Sequence, residues 1–298
     1  MENLSSLETP AAAPKSAFRP SIALWPGLLL AAVVLLYLGT IGALPLLGKD
    51  EPHYVEVARE MWTRGDWVTP TLGGSTWFEK PALLYWLVMA SFGAFGVSEW
   101  AARLGPALCE LATVGLVSWV ARRVERESGA HGLALWSTGA AASSVGLIAF
   151  SHGATFDIVL TAAVTLALSC FFVAELEKAP QKRRWLLAGL WAGVGLSLLG
   201  KGLVGIILPG GVIALYLALR RDWRGIGRLQ ILWGLPLALA VAALWYGPVI
   251  ARHGQAFINE FFVQHHFARY LSNKYRHPQP VYYYLPIMAL FAGLPHFW

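Results

Sequence analysis

The feature that most constrains this chain is its succession of long apolar runs. The first covers residues 22–47 without a single charged residue. It is longer than the roughly 20 residues that an α-helix needs to cross a bilayer, and longer than the apolar core of a signal peptide. Charged residues make up only 13% of the chain, against about 25% in soluble domains. The sequence therefore predicts an all-α, polytopic membrane protein whose first span is not cleaved.

Further apolar runs follow, and short basic clusters separate some of them. The runs are residues 82–97, 101–121, 133–150, 158–173, 185–200, 203–219, 229–250 and 281–298. The basic clusters fall at residues 122–126, 178–184 and 220–224, and such clusters stay on the cytoplasmic side of a membrane. The net charge of +6 thus indicates contacts with membrane lipids and not with nucleic acid. Cys109 and Cys170 both lie in apolar runs, so no disulfide is predicted.

The chain divides into a short tail and one long membrane domain. Residues 1–20 are rich in Ala, Pro and Ser and are predicted to form a disordered cytoplasmic tail, whereas residues 21–298 form the transmembrane domain. Asp50 then lies outside, and an odd number of crossings must separate it from the cytoplasmic cluster at 122–126. Two apolar runs intervene. The run 82–97 is the shorter one and contains Gly93 and Gly96, so we predict a juxtamembrane helix on the outer face.

This topology brings an unusual set of polar residues to the outer face. Residues 49–81 contain charges of both signs and several aromatics, and residues 51–62 have the spacing of an amphipathic helix on the membrane surface. The ionisable residues that map to this face are Asp50, Glu51, Glu79, Lys80, Asp157, Lys201, His265, His266 and Arg269. Carboxylates, cations and imidazoles that converge at a membrane surface predict a site for an anionic, lipid-linked substrate, with or without a metal.

Several of these segments resemble a known family. The motifs D-E-P-H-Y at residues 50–54, G-D-W-V-T-P at 65–70 and F-E-K-P-A-L-L-Y-W at 78–86 are similar to the first outer loop of bacterial polyprenyl-phosphate-dependent glycosyltransferases. The resemblance is to the lipid A aminoarabinose transferase group of the protein-mannosyltransferase-like superfamily. Weaker matches occur at residues 95–104, 154–157, 200–202 and 261–270. The chain departs from the family pattern at His53, Trp77 and Ala82, where Arg, Tyr and a second Pro are usual.

The resemblance implies a fold, an activity and a location. The fold is a GT-C-type bundle of transmembrane helices with juxtamembrane helices in the first outer loop. The activity is transfer of a sugar from undecaprenyl phosphate, or a similar polyprenyl phosphate, to a periplasmic acceptor such as lipid A, another glycolipid or a protein. The location is the bacterial inner membrane. The family's C-terminal half, with its soluble outer domain, has no counterpart here, which predicts the N-terminal portion of a larger protein or a truncated gene.

Transition-state charge suggests roles for the basic outer residues. Displacement of phosphate from the anomeric carbon leaves negative charge on the leaving group, and nearby cations stabilise that charge. Lys80 and Arg269 are the first candidates to bind the donor phosphate, and Lys201 is the third. Asp50 is the candidate to activate or orient the acceptor, with Glu51 and Asp157 as further catalytic candidates.

The remaining candidates concern a metal and the walls of the substrate path. Glu79 with His265 or His266 offers a carboxylate and an imidazole to a divalent metal (zinc, manganese or magnesium), and the resemblance supports Glu79 as a ligand. Tyr54, Trp77 and His265 are candidates to line the path of the lipid or the sugar, although an aromatic belt at the membrane interface explains the aromatic residues equally well.

Other interpretations remain open from sequence alone. Asp50 could simply cap the helix that follows it, and Lys80 and Lys201 could simply extend to lipid head groups. For the whole chain, the rival functions are a secondary transporter and a non-catalytic protein that binds lipid phosphates. A transporter would place ionisable groups near the middle of the membrane, whereas the predicted spans are nearly free of charge apart from Glu110.

Overall fold

The computed structural model describes residues 24–268 and 280–292. Helices dominate this part of the chain, with one two-stranded antiparallel ribbon. The elements in order are α1 (Leu24–Leu38), α2 (Asp50–Arg64), β1 (Thr71–Leu72), β2 (Ser75–Thr76), α3 (Leu83–Phe95), α4 (Glu99–Ser128), α5 (Leu133–Ala142), α6 (Val145–Ser151), α7 (Phe156–Leu176), α8 (Pro180–Lys201), α9 (Val204–Leu219), α10 (Gly225–Arg228), α11 (Ile231–Phe257), a π-helical segment (Ile258–Ala268), a 3-10 turn (Val281–Tyr283) and α12 (Tyr284–Ala292).

Three helices of the described part are long and apolar enough to cross a membrane. They are α4, α7 and α11 with its π-helical continuation, and the bent pair α5–α6 makes a fourth if it counts as one span. These helices confirm a multi-pass, all-α membrane protein. Helix α3 has only 13 residues, or about 20 Å of length, against a hydrocarbon core of about 30 Å. Helix α9 is also short, at 16 residues, so length does not decide the matter, and the position of residues 82–97 on the outer face stays a prediction.

The first apolar run is not one continuous helix. Helix α1 ends at Leu38, and residues 39–49 follow as turns and irregular chain. The guanidinium of Arg103 holds this irregular segment, because it donates to the carbonyl oxygens of Ile41, Leu44 and Pro45 at 2.6–2.8 Å. Uncharged composition alone therefore overestimated the length of this helix.

Helix α2 forms where an amphipathic helix was predicted, but its surroundings differ. It ends at Gly65, whose φ of 65° places it in the left-handed region and whose N–H donates to the last turn. Its apolar side, with Val55, Ala58 and Met61, is buried in a cluster with α3 and the start of α7. The amphipathic helix is thus present, but its apolar side packs against other helices of the protein and not against the membrane surface on which it was predicted to lie.

The run 133–150 is two helices, bent by 52°. The break falls at Ser143 and Ser144, where Ser143 donates its hydroxyl to the carbonyl of Gly139 at 2.8 Å. Ser144 has a ψ of 119°, which no helix accommodates. Hydroxyl groups that compete for backbone partners commonly bend helices.

Small residues set the close packing at the centre of the bundle. A Cβ at Gly193 of α8 would lie 2.8–3.0 Å from Ala167 of α7, and a Cβ at Gly195 would lie 2.6 Å from the carbonyl oxygen of Ala238 in α11. Close approach through glycine and alanine is how membrane helices gain packing energy without a hydrophobic driving force. Helix α8 therefore lies between α7 and α11, and its C-terminal end is held at a defined position.

The charged residues separate to opposite ends of this bundle. At one end, Glu175 of α7 pairs with Arg228 at 2.7 Å and with Arg183 at 3.5 Å, while Arg123 of α4 lies 2.9 Å from Glu127. These residues belong to or border the basic clusters, so this is the cytoplasmic end by the distribution of positive charge. The opposite end contains α2, the ribbon and α3.

Candidate functional site

A buried ion pair holds the outer end of the bundle together. Arg103 and Glu51 are 2% and 6% exposed, and they form two hydrogen bonds of 2.7 and 3.0 Å. The Glu51 carboxylate also accepts the N–H of Leu47 at 2.8 Å and the N–H of Ala154 at 2.9 Å. Four donors from three separate segments thus converge on one carboxylate.

These donors decide the role of Glu51. Burial raises the pKa of its carboxyl, but the Arg103 hydrogen bond and the two backbone N–H groups outweigh it, and the pKa lies below its ordinary value. The carboxylate is therefore ionised and fully engaged, which leaves it no capacity to take a proton from a substrate. These contacts favour a positioning role for Glu51 at the outer loops over the predicted catalytic role.

The neighbouring residue, Asp50, is exposed to solvent, in contrast to the buried Glu51. It is exposed in the first turn of α2 and lines a cavity of about 420 Å³ together with Lys49, His152 and Thr155. The helix cap is Lys49, which makes no capping hydrogen bond through its side chain. Asp50 therefore does not act as an N-cap, and its carboxylate is presented to the cavity while the buried Glu51 fixes the same turn of the helix.

The segment with Glu79 and Lys80 is anchored on both sides. Phe78 and Ala82 are buried in a cluster with Leu199 of α8. Between them, the Lys80 ammonium lies 3.2 Å from the Glu79 carboxylate, and the two side chains are 14% and 25% exposed. The backbone N–H of Phe78 also donates to Glu260 at 3.3 Å. A cation and a carboxylate are thus held at low exposure beside the outer end of α8.

Asp157 and Lys201, predicted separately, are partners. The Lys201 ammonium forms a short ion pair with the Asp157 carboxylate. Lys201 ends α8 where Gly202 adopts a φ of 71°, which confirms the predicted sharp turn, and Asp157 lies in the first turn of α7. A negative charge at a helix N-terminus is favourable, so this position suits Asp157 electrostatically as well.

Aromatic rings connect these groups. Tyr54 of α2 and Tyr85 of α3 both meet the ring of Phe156 edge to face, at centroid distances of 4.8 and 5.3 Å. Trp77 packs against the same cluster, and its buried indole N–H has no hydrogen-bond partner in the described residues. Tyr54 and Trp77 thus belong to one cluster, and their role in lining the substrate path stays a prediction; Tyr54 is 9% exposed and presents little surface.

Two residues of the site were not predicted from the sequence. Arg103 matched the family pattern but received no role, although a lone arginine inside an apolar run is the usual sign of a functional or organising residue. His152, whose Nε2 lies 2.7 Å from the hydroxyl of Thr40, was also missed. No sequence signal marks it, because only the packing of α6 against the loop after α1 brings it to the Asp50 cavity.

Part of the predicted site lies outside the described residues. Arg269 and the side chains of His265 and His266 are in this category, so the structure places Lys80 and Lys201 but not Arg269. Within the described range there is no group of three His, Cys, Asp or Glu side chains able to hold a metal ion. Of the predicted metal ligands, only Glu79 is described, and the metal stays a prediction.

Comparisons with known proteins agree on the fold and the family. The chain is 34% identical over 275 residues to undecaprenyl phosphate-alpha-4-amino-4-deoxy-L-arabinose arabinosyl transferase of Aeromonas salmonicida, covering 88% of this chain and 47% of that protein. The protein of the same name from Pseudomonas aeruginosa strain UCBPP-PA14 is 32% identical, with 90% and 48% covered. The chain thus spans about half the length of these relatives.

A solved structure is similar over nearly the whole chain. The crystal structure of ArnT from Cupriavidus metallidurans bound to undecaprenyl phosphate superposes with a TM-score of 0.82 at 31% sequence identity, and covers 92% of this chain and 49% of that one. The apo form gives the same TM-score at 30% identity. This similarity confirms the predicted GT-C-type bundle.

A family model matches most of the chain, from residue 27 to residue 247. The matched range contains α2, the Glu79–Lys80 segment and the Asp157–Lys201 pair, which are the segments whose motifs suggested the family. The chain belongs to the dolichyl-phosphate-mannose-protein mannosyltransferase family.

Proposed function

We propose that this protein transfers a sugar from a polyprenyl phosphate, of the undecaprenyl type, to an acceptor on the periplasmic side of the bacterial inner membrane. The observation that carries the proposal is the close similarity to a structure bound to undecaprenyl phosphate, together with the convergence of the charged side chains at one end of the bundle. The acceptor is lipid A, another glycolipid or a protein. Family membership favours this function over a secondary transporter.

Lys80 is the proposed contact to the donor phosphate. As the bond between the anomeric carbon and the phosphate oxygen breaks, negative charge grows on the leaving phosphate, and a fixed cation stabilises that charge more than the ground state. Lys80 is suited to this because its side chain is only 14% exposed, where reduced solvent strengthens its field. Glu79 holds the ammonium at 3.2 Å and limits the positions available to it.

Lys201 has a secondary part in this proposal. Both lysines are paired with a carboxylate, but Lys201 is 30% exposed against 14% for Lys80, so solvent screens its charge more and it is the weaker phosphate ligand. We assign the Asp157–Lys201 pair to positioning, because it fixes the C-terminal end of α8 beside the first turn of α7. Arg269, beyond the described residues, is the proposed second cation at the phosphate, since a guanidinium binds phosphate oxygens in a bidentate manner.

Asp50 is the proposed acceptor-activating group. Its carboxylate is exposed at the mouth of the 420 Å³ cavity, whereas the adjacent Glu51 is fully engaged by Arg103. A free carboxylate can take the acceptor's proton, or orient its nucleophilic oxygen or nitrogen, as the new bond to the anomeric carbon forms. The two adjacent acidic residues thus have different roles: Asp50 takes part in the reaction, and Glu51 holds the loop.

A divalent metal remains part of the proposal. Glu79 with His265 or His266 would hold it, and its chemistry would be that of a Lewis acid at the donor phosphate. The described residues supply one suitable oxygen ligand, Glu79, at the end of the bundle where the phosphate is proposed to bind. No step above depends on this metal.

Transfer by the purified protein in proteoliposomes tests the proposal. The donor is an undecaprenyl-phosphate sugar, and the assay measures its consumption together with the glycosylated lipid formed. Lys80→Met is expected to lower the specificity constant about 10- to 150-fold, the effect of losing one charge-assisted hydrogen bond. The control, Lys178→Met, removes an exposed lysine at the opposite end and should leave turnover unchanged.

Three outcomes distinguish the alternatives. Consumption of the donor that depends on Lys80 supports the transferase. Lys80-dependent binding of undecaprenyl phosphate without any consumption supports a non-catalytic protein that binds lipid phosphates. Consumption that is equally fast in Lys80→Met and in the control variant would remove Lys80 from the phosphate site.

A further inference from the structure

A second, larger cavity lies at the end of the bundle opposite the transferase site. It has a volume of about 1500 Å³ and lies between α1, α4, α5 and the cytoplasmic ends of α7 and α8. None of the outer-face groups discussed above lines it. The proposed transferase site therefore does not account for this cavity.

The cytoplasmic rim of this cavity is basic. Arg122, Arg126 and Lys182 line it, are exposed and make no ion pair with the described residues. The two carboxylates in the lining, Glu125 and Glu177, accept backbone N–H groups at 2.8–3.2 Å. These three cations and Arg123 give the lining four positive side chains against these two carboxylates, so the rim keeps an excess of positive charge for a ligand.

The interior of the cavity is apolar. Its walls include Leu30, Val33, Val34, Leu111, Val114 and Leu135. Along α4, Leu111 lies eleven residues from Arg122, or about 16 Å at the rise of an α-helix. Half of a hydrocarbon core is about 15 Å thick, so the apolar depth of the cavity corresponds to one leaflet.

The boundary between the two regions has the residues of a membrane interface. Trp119 and Trp185 line the cavity close to the cations in sequence, and tryptophan is enriched at the level of lipid head groups. Gly115 faces open space, since a Cβ there would meet no atom within 4 Å. An apolar chain can therefore pass along α4 at this point.

We propose that this cavity binds an acidic phospholipid of the cytoplasmic leaflet. Its phosphate lies among Arg122, Arg126 and Lys182, and an acyl chain occupies the space between α1 and α4. A cationic rim over a leaflet-deep apolar space matches one anionic head group on hydrocarbon tails, and a zwitterionic lipid lacks the net charge that the rim favours. The lipid would tie α1 to the bundle by filling the space between them.

The lipids that the purified protein retains test this proposal directly. The purified protein is placed in nanodiscs of phosphatidylcholine with a minor fraction of phosphatidylglycerol, released, and analysed by native mass spectrometry for bound lipid. The wild-type protein is expected to retain phosphatidylglycerol in preference to phosphatidylcholine. The triple variant Arg122→Gln, Arg126→Gln, Lys182→Gln should bind phosphatidylglycerol about tenfold or more weakly. Its matched control is Arg220→Gln, Arg221→Gln, Arg224→Gln, which removes three exposed arginines from the same face outside the cavity.

A cavity-filling variant locates the lipid. Gly115→Phe should abolish retention with the rim intact, whereas Gly211→Phe, at another open glycine in α9, should not. Circular dichroism and the unfolding temperature confirm that each variant is folded. Equal retention of both lipids, unchanged binding in the rim variant, unchanged binding in Gly115→Phe, or displacement of the lipid by undecaprenyl phosphate would each overturn the proposal. None of these results depends on glycosyl transfer.

Discussion

At the scale of single residues, the buried Arg103–Glu51 ion pair is the contact at the outer end that should tolerate substitution least. Arg103→Met would leave a buried carboxylate and three loop carbonyls without their donor, so we expect a loss of about 3–5 kcal/mol in the free energy of unfolding. Chemical denaturation of the protein in detergent measures this. Arg59→Met is the control: Arg59 pairs with Glu56 at 2.6 Å but is 51% exposed, and its loss should cost far less. Equal losses would contradict an organising role for Arg103.

The same carboxylate predicts a dependence of stability on pH. The folded pKa of Glu51 lies below its ordinary value, so the folded protein binds fewer protons at this site than the unfolded chain does. Its stabilising contribution is present above the unfolded pKa, about 4.3, and is lost as the pH falls toward the folded pKa. Unfolding midpoints between pH 6 and acidic conditions should therefore decrease, and the decrease should be smaller in Glu51→Gln.

Asp50 should matter for chemistry and not for folding. Asp50→Asn keeps the size of an exposed side chain that forms no cap, so the unfolding temperature should change little, while glycosyl transfer should be abolished. Glu99→Gln is the control, because Glu99 is also an exposed acidic residue in the first turn of an outer-face helix. Wild-type turnover by Asp50→Asn would exclude Asp50 as the acceptor-activating group.

At the scale of elements, the α8–α9 hairpin depends on one glycine. A Cβ at Gly205 would lie 2.2 Å from the backbone of Ser197, whereas a Cβ at Gly211 in the same helix would meet nothing within 4 Å. Gly205→Ala must therefore push the helices apart, at a cost of about 1–3 kcal/mol. Gly211→Ala should stabilise the helix by up to about 1 kcal/mol. Both variants replace a glycine with alanine, one at a close helix contact and one facing open space, so their unfolding midpoints can be compared directly. Similar shifts of the two midpoints would contradict the close approach of α8 and α9 at Gly205.

Gly205→Ala also bears on the site, because Lys201 is the last residue of α8. Displacing the hairpin should weaken the Asp157–Lys201 pair, so transfer activity should decrease in this variant and not in Gly211→Ala. If activity is retained while stability falls, the pair does not require the exact position of α8.

At the scale of the whole molecule, the topology predicts which ends are accessible. Val97 follows α3 and is exposed, and Gln181 lies near the start of α8 and is exposed. A membrane-impermeant maleimide added to intact cells should label Val97→Cys from the periplasmic side, and Gln181→Cys should react only after the membrane is opened. Labelling of Val97→Cys from the cytoplasm alone would mean that α3 crosses, and the position of Asp157 would have to be reversed with it.

Sequence alone determined the class of the protein because membrane constraints are local. Long uncharged apolar runs indicate membrane spans, and basic clusters orient them. The motifs around Asp50, Lys80 and Lys201 are short and local, and their combination indicates the family. For the same reason the helical nature of residues 51–62 and the turn at residues 200–202 were predictable, since periodicity and glycine act within a few residues.

Only the tertiary structure decided which residues far apart in the chain become partners. Composition cannot show that residues 39–49 leave the helix, because the donor that holds their carbonyl groups is Arg103, on another helix. Nor can sequence separate Asp50 from Glu51, two adjacent acidic residues whose difference arises from the single guanidinium that engages one of them. Asp157 and Lys201 became one ion pair for the same reason. Hydrogen bonds and charge pairs act over a few ångströms in space, and only the packing of elements that are distant in sequence, α4 against α2 and α7 against α8, creates those short distances.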